Sequence, residues 1–88
     1  MGVKVIKINP NDNVAVVVEP VARGSRIEIE GENALVARGD IPANHKVALA
    51  AIRKGARVIK YGQSIGLARE RIEPGEWVHV HNLTAEEG

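Results

Sequence analysis

Short runs of β-branched residues, each ended by glycine or proline, most limit the fold of this chain. The 88 residues include 12 Val and 9 Ile but only 4 Leu. Branching at Cβ restricts a side chain in a helix and suits a pleated strand. The 9 Gly and 4 Pro divide the chain into short segments joined by turns. The sequence therefore predicts one small all-β domain of short strands with glycine-rich turns.

Individual segments predict where the strands lie. Residues 26–30 alternate between charged and apolar side chains, so Ile27 and Ile29 should face the core. Residues 31–33 should turn this strand back into residues 34–36 as a hairpin. The apolar run at 14–18 is typical of a strand covered on both faces. Further short strands are expected at residues 3–8, 43–51, 57–61, 64–68 and 77–82, the segment 43–51 being irregular.

A spacing of the form I-x-x-G-x-x-V occurs at residues 52–58 and 72–78, and more loosely at 21–27. Each copy places a glycine just before a predicted strand. Pro74-Gly75 suits the centre of a type II turn, where glycine takes a positive φ without strain. We interpret the copies as recurring turns before strands, since the period is not sustained as in a solenoid. Asp12-Asn13 resembles a pair of metal ligands, but a local Asx turn is the favoured interpretation.

Composition excludes several classes of function. The 12 basic and 11 acidic residues are interleaved, which predicts no nucleic-acid partner and no membrane surface. The absence of Cys excludes disulfides and thiolate chemistry, and the low aromatic content argues against a base-stacking platform. We expect a cytoplasmic protein with a single domain at residues 1–83 and a frayed tail at 84–88. Exposed edge strands would allow homo-oligomers.

The three histidines are the first candidates for chemistry. His79 and His81 would project from the same face of a strand, with Val78 and Val80 facing the core. Two imidazoles on one face are half of a divalent metal site, to which His45 could add a third nitrogen. The alternative is that His79 and His81 occupy the solvent face of an edge strand.

Lys60 and Tyr61 are a second candidate, since a lysine beside a tyrosine can hold a carboxylate and the hydroxyl can donate a proton. The alternative is a solvated lysine and a tyrosine that caps the core. Composition and spacing alone favour this alternative. These patterns by themselves name no reaction.

Longer motifs resemble a known family. They occur in order along the chain as INP at 8–10, DNVAV at 12–16, IPANHKVAL at 41–49, VIKYGQ at 58–63 and GEWVHVHNL at 75–83. With these motifs the chain resembles the N-terminal domain of altronate and galactarate dehydratases, an SAF-type domain with a β-clip fold. The sequence departs from the family at Asn44, where glycine is usual, although Asn tolerates the left-handed backbone conformation.

The resemblance implies the small subunit of a two-chain lyase, inactive without a large dehydratase subunit. The reaction would dehydrate a sugar acid, altronate or a galactarate-like hydroxy acid, to a 2-oxo-3-deoxy acid, with iron or manganese as the divalent metal. One alternative is the small subunit of a sulfolactate sulfo-lyase. Another is a non-catalytic carbohydrate-binding or assembly module.

The resemblance also suggests roles for individual residues. The expected catalytic residues are His45, Lys46, His79 and His81. Asn82, Lys60 and Tyr61 are expected to bind substrate, and His79 and His81 are the expected metal ligands.

Overall fold

The computed structural model describes residues 2–85, which form nine short strands in three sheets. The all-β prediction is confirmed, and no helix in this range is long and apolar enough to cross a membrane. The strands are β1 (Val3–Val5), β2 (Val14–Val16), β3 (Arg26–Ile29), β4 (Leu35–Val36), β5 (Lys46–Ala48), β6 (Arg57–Lys60), β7 (Gln63–Ala68), β8 (Trp77–Val78) and β9 (Leu83–Thr84).

Each sheet has three strands, in the orders β1-β3-β4, β2-β5-β8 and β6-β7-β9. The predicted hairpin is present as the antiparallel pair β3 and β4, with Ile27 opposite Leu35. β1 and β3 pair in parallel, although residues 6–25 separate them in the chain. In the second sheet, β5 lies between β2 and β8, both antiparallel to it.

The β2-β5-β8 sheet is buried on both faces. Ala15 and Val47 belong to one cluster of buried apolar residues, and Val14 and Ala48 belong to the other. Neighbouring residues of a strand point to opposite faces, so this sheet separates the two clusters. The prediction of a strand covered on both faces is thus confirmed for its central part. Val18, at the end of the predicted run, is 76% exposed.

Four turns of the same kind each lead into a strand. Val21 forms an isolated bridge with Ile41, and Ile52 forms one with Ile72. Each of the four bridge residues starts a turn, and the residue three positions after it has a positive φ. The residues with a positive φ are Gly24 (88°), Asn44 (66°), Gly55 (83°) and Gly75 (90°). The sequence pattern identified three copies and missed the fourth, at residues 41–47, because Asn replaces glycine there. This fourth turn places His45 at the start of β5.

Two predicted segments are corrected by the structure. The strand expected at 77–82 ends at Val78, and the backbone N–H groups of Asn82 and Leu83 both donate to the His79 carbonyl, at 3.0 and 2.9 Å. Residues 79–82 are therefore a turn, and Val80 is 69% exposed rather than in the core. Thr84, the first residue of the expected frayed tail, pairs with Leu67 in β9. Residues 86–88 of that tail lie outside the described residues.

Candidate functional site

The three histidines meet around Trp77 at one end of the β5–β8 pair. His45 comes from the turn before β5, and His79 and His81 come from the turn after β8. The His79 ring stacks on the indole, with centroids 5.4 Å apart and planes 9° apart. The His45 centroid lies 4.7 Å from that of His79, and the His81 centroid lies 5.1 Å from that of Trp77. We call these four residues the imidazole cluster.

The predicted proximity of the histidines is thus correct, but its predicted cause is not. His79 and His81 do not project from alternate positions of a strand. They belong to a turn that folds over Trp77, because β8 ends at Val78.

Trp77 is the member of the cluster that sequence reasoning missed. Its indole N–H donates a 3.1 Å hydrogen bond to Nδ1 of His45. Trp77 is half-buried and packs against the buried cluster that contains Ala15 and Val47, so its position is fixed by the core. The signal that could have identified it was its place beside the two histidines as the single Trp of the chain.

Asn82 holds the turn that carries His79. It is 1% exposed. Its Oδ1 accepts from the His79 backbone N–H at 2.9 Å, and its Nδ2 donates to the Trp77 carbonyl at 2.9 Å. These contacts give Asn82 a structural role, which is to position His79. The expectation that Asn82 binds substrate stays a prediction.

Two lysines lie on the other side of β5. Lys46 is opposite Val78 in the sheet, so it points to the face away from Trp77. Partial burial and the positive charge of Lys60 lower the pKa of Lys46. We call Lys46 and Lys60 the lysine pair.

The lysine pair extends the site toward an exposed aromatic ring. The Lys60 ammonium lies 4.8 Å from the centroid of the Tyr61 ring, which is 54% exposed. Lys60 and Tyr61 thus contact each other as the sequence suggested, but the ring extends into solvent and does not cap the core.

His79 connects the imidazole cluster electrostatically to Lys46. Its pKa is lowered first by desolvation and then by the neighbouring His45, Lys46 and His81. Protonation of His79 would add a positive charge to a site that already holds cations. The neutral imidazole, which can accept a proton, is therefore favoured at neutral pH.

Asp12 has a structural role, but its hydrogen bonds are not those of the local Asx turn that the sequence favoured. Its carboxylate accepts from the backbone N–H groups of Gly62, at 2.7 Å, and Asn9, at 3.1 Å. Burial opposes its ionisation, but backbone hydrogen bonds from Gly62, Asn9 and Tyr61 outweigh burial and lower the pKa of Asp12. Asp12 therefore ties the turn that carries Tyr61 to the loop before β2.

The described residues do not supply a complete metal site. Within residues 2–85, no group of three or more His, Cys, Asp or Glu side chains is arranged to hold a metal ion. The Nδ1 atom of His45 accepts a hydrogen bond from Trp77, so His45 could supply the third nitrogen that the sequence suggested only through Nε2. His79 and His81 could contribute at most part of a coordination sphere.

Comparison with known proteins agrees with the fold and with the family suggested by the motifs. The model of the altronate/galactarate dehydratase SAF domain family matches residues 3–86. Altronate dehydratase of Escherichia coli is 44% identical over 77 residues, which are 88% of this chain and 15% of that protein. Galactarate dehydratase (L-threo-forming) of the same organism is 36% identical over 73 residues, 83% of this chain and 14% of that protein.

A relative of different size is the (2R)-sulfolactate sulfo-lyase subunit alpha of Paracoccus pantotrophus. It is 50% identical over 48 residues, which are 54% of this chain and 72% of that subunit. The chain thus spans about one seventh of the two dehydratases and matches most of a short lyase subunit. Because the family model covers nearly all of it, this chain belongs to the altronate/galactarate dehydratase SAF domain family.

Proposed function

We propose that this domain is the small subunit of a two-chain hydro-lyase that dehydrates a sugar acid, altronate or a galactarate-like hydroxy acid, to a 2-oxo-3-deoxy acid. The observation that supports this most is that Lys46 begins β5 directly after His45 and is close enough to His79 to lower its pKa, so cationic and imidazole side chains flank the same end of the strand. In this role the domain supplies side chains to an active site that a larger dehydratase chain completes. The cytoplasmic location expected from the sequence is part of the same proposal.

The charge of the site suits a carboxylate substrate. Lys46 and Lys60 provide positive charge, and the members of the imidazole cluster carry no negative charge. Dehydration of a hydroxy acid removes the proton next to the carboxylate and releases the neighbouring hydroxyl as water, so it needs a base and an acid. His79, favoured in its neutral form, is the candidate base. His81 and Lys46 remain candidate acids, and the enol product rearranges to the 2-oxo acid.

The iron or manganese of the proposal needs ligands from outside the described residues. His79 and His81 could hold such an ion only together with groups of another chain or of the substrate. Imidazole nitrogens suit iron, whereas carboxylate oxygens suit manganese. Two histidines alone therefore do not decide between these metals. The assignment of His79 and His81 as ligands therefore stays a prediction. For His79 it is an alternative to the role of base, because an imidazole nitrogen that coordinates a metal cannot accept a proton.

An apolar groove beside the lysine pair supports the need for a partner. It has a volume of about 320 Å³ and lies between β1 and β2. Among its lining residues, Ile6, Ile8 and Val18 are 64, 62 and 76% exposed, and Tyr61 joins them at its edge. Apolar side chains grouped in this way commonly mark an interaction surface. A large subunit seated there would also enclose the site at Lys60.

A sulfolactate sulfo-lyase is the second candidate function. In that reaction sulfite, rather than water, would leave from the hydroxy acid. The match to a sulfo-lyase subunit alpha of comparable length favours it, whereas the longer alignments to the dehydratases favour dehydration. A non-catalytic carbohydrate-binding module is the third candidate, but it would not need the imidazole cluster.

Co-purification and activity measurements test the proposal. The tagged chain, expressed in its native cells, should recover one large dehydratase-like chain in stoichiometric amount. The complex should then be assayed with D-altronate, galactarate and sulfolactate. Variant Lys46→Gln should lower turnover of the substrate, whereas Lys54→Gln, at an exposed lysine in the turn before β6, serves as the matched control. Unchanged turnover in a His79→Gln, His81→Gln double variant would contradict a role of the domain in the active site.

A further inference from the structure

The hydrogen bond between Trp77 and His45 determines where the imidazole proton lies. The indole N–H can only donate, so Nδ1 of His45 must offer a lone pair. The proton of the neutral ring is then on Nε2. A histidine in this form can donate a hydrogen bond from Nε2, but it cannot accept a proton there.

The surroundings of Trp77 keep this bond in place. Trp77 lies opposite Val47 in the sheet and packs against the buried cluster to which Val47 belongs. The His79 ring stacks on the indole, and the Asn82 side chain joins the Trp77 carbonyl to the His79 backbone N–H. Rotation of the indole away from His45 would disturb these contacts. The donor is therefore preorganised before any ligand arrives.

We propose that Trp77 is a positioning residue that fixes His45 as the Nε2–H tautomer, so that His45 is a neutral hydrogen-bond donor to an oxygen of an anionic substrate. In this role His45 is neither the base that abstracts the proton nor a metal ligand through Nδ1. The substrate part of this inference rests on the proposed function, whereas the tautomer rests on the fold alone. The base role falls to His79, whose ring lies 4.7 Å from that of His45.

Nitrogen NMR of the chain tests the tautomer without any substrate. With 15N-labelled protein, we expect a scalar coupling across the hydrogen bond between Nε1 of Trp77 and Nδ1 of His45, and a proton bonded to Nε2. In Trp77→Phe the ring is retained and the donor is lost, so the His45 signals should move toward those of a mixture of tautomers. Tyr61→Phe is the aromatic control and should leave them in place. A proton bonded to Nδ1 of His45, or unchanged His45 signals in Trp77→Phe, would overturn the inference.

Kinetics of the assembled lyase with D-altronate test the role of His45. His45→Ala should raise KM about 10- to 100-fold, the effect of a lost hydrogen bond to a charged group. His45→Gln should restore part of this loss, because the amide nitrogen can donate as Nε2 does. A fall in kcat of about 10²- to 10⁴-fold in His45→Gln would identify His45 as a base and overturn its assignment as a donor.

The two measurements separate the possible failures. If KM and kcat are unchanged in every His45 and His79 variant, the proposed function is wrong, and with it the substrate role of His45. The NMR result would still decide whether Trp77 fixes the tautomer.

Discussion

Replacement of Asn82 by alanine should destabilise the domain substantially. The change removes two hydrogen bonds of 2.9 Å, one to the His79 N–H and one to the Trp77 carbonyl. Each buried backbone group left without a partner costs about 1–3 kcal/mol. His79 is half-buried, so water can satisfy part of its loss, and we expect a total of about 2–4 kcal/mol. In a domain of this size, each kcal/mol shifts Tm by about 4–8 °C, so the melting point should fall by about 8–32 °C.

The single Trp of the chain provides the assay. Because Trp77 lies inside the perturbed region, its fluorescence reports the turn directly, whereas circular dichroism reports the whole domain. Urea unfolding followed by both probes should give a lower midpoint with an unchanged slope if the change affects the native state alone. Asn33→Ala, in the exposed turn between β3 and β4, is the control and should change the free energy of unfolding by less than about 0.5 kcal/mol.

Two results would refute this reasoning. A loss below about 0.5 kcal/mol in Asn82→Ala would mean that the turn at 79–82 does not depend on the Asn82 side chain. A shift of the fluorescence transition alone, with an unchanged transition by circular dichroism, would mean that the turn unfolds independently of the core.

Three further predictions concern turns that shape the site and its support. Ionised Asp12 has a lowered pKa in the folded state, so its contribution to stability is present above the unfolded pKa near 3.8 and is lost as the pH falls through the folded pKa. In Asp12→Asn the free energy of unfolding should therefore depend less on pH on the acid side. An unchanged pH dependence would contradict this. Asn44→Ala should lower the free energy of unfolding by about 1–2 kcal/mol, because φ is 66° at this position. Asn44→Gly should lower it less, and equal losses in urea unfolding would argue against backbone strain. In Gly66→Ala the new Cβ would clash with the Thr84 carbonyl oxygen, so hydrogen exchange of β9 should accelerate. Unchanged exchange rates would contradict this clash.

Local patterns in the sequence predicted the elements whose partners are close in the chain. The alternation at 26–30 gave the correct inward positions, since Ile27 and Ile29 are 0 and 4% exposed. The hairpin between β3 and β4 could be predicted because only a short turn separates the two strands. The parallel pairing of β1 with β3 was not predicted, because it depends on contacts across a long intervening segment.

The end of β8 shows how a side chain can override a strand pattern. Residues 77–82 alternate as a strand would, but Asn82 offers the backbone of His79 a local hydrogen bond that replaces a sheet partner. The same residue was predicted to bind substrate because it belongs to a family motif. A motif marks a residue as important without saying whether it contacts the ligand or holds another residue in place, and the structure shows contacts of the second kind for Asn82.

The position of the site follows from the sheet that separates the two buried clusters. Val47 and Ala48 are buried on opposite faces of the sheet, so polar side chains gather where β5 begins. The turn at Asn44 places His45 there, and the pairing with β8 brings Trp77 beside it. Side chains fixed in this way need little reorganisation to bind a ligand, which favours catalysis. His81 and Tyr61 are both exposed, and in the proposed function a large subunit would cover them.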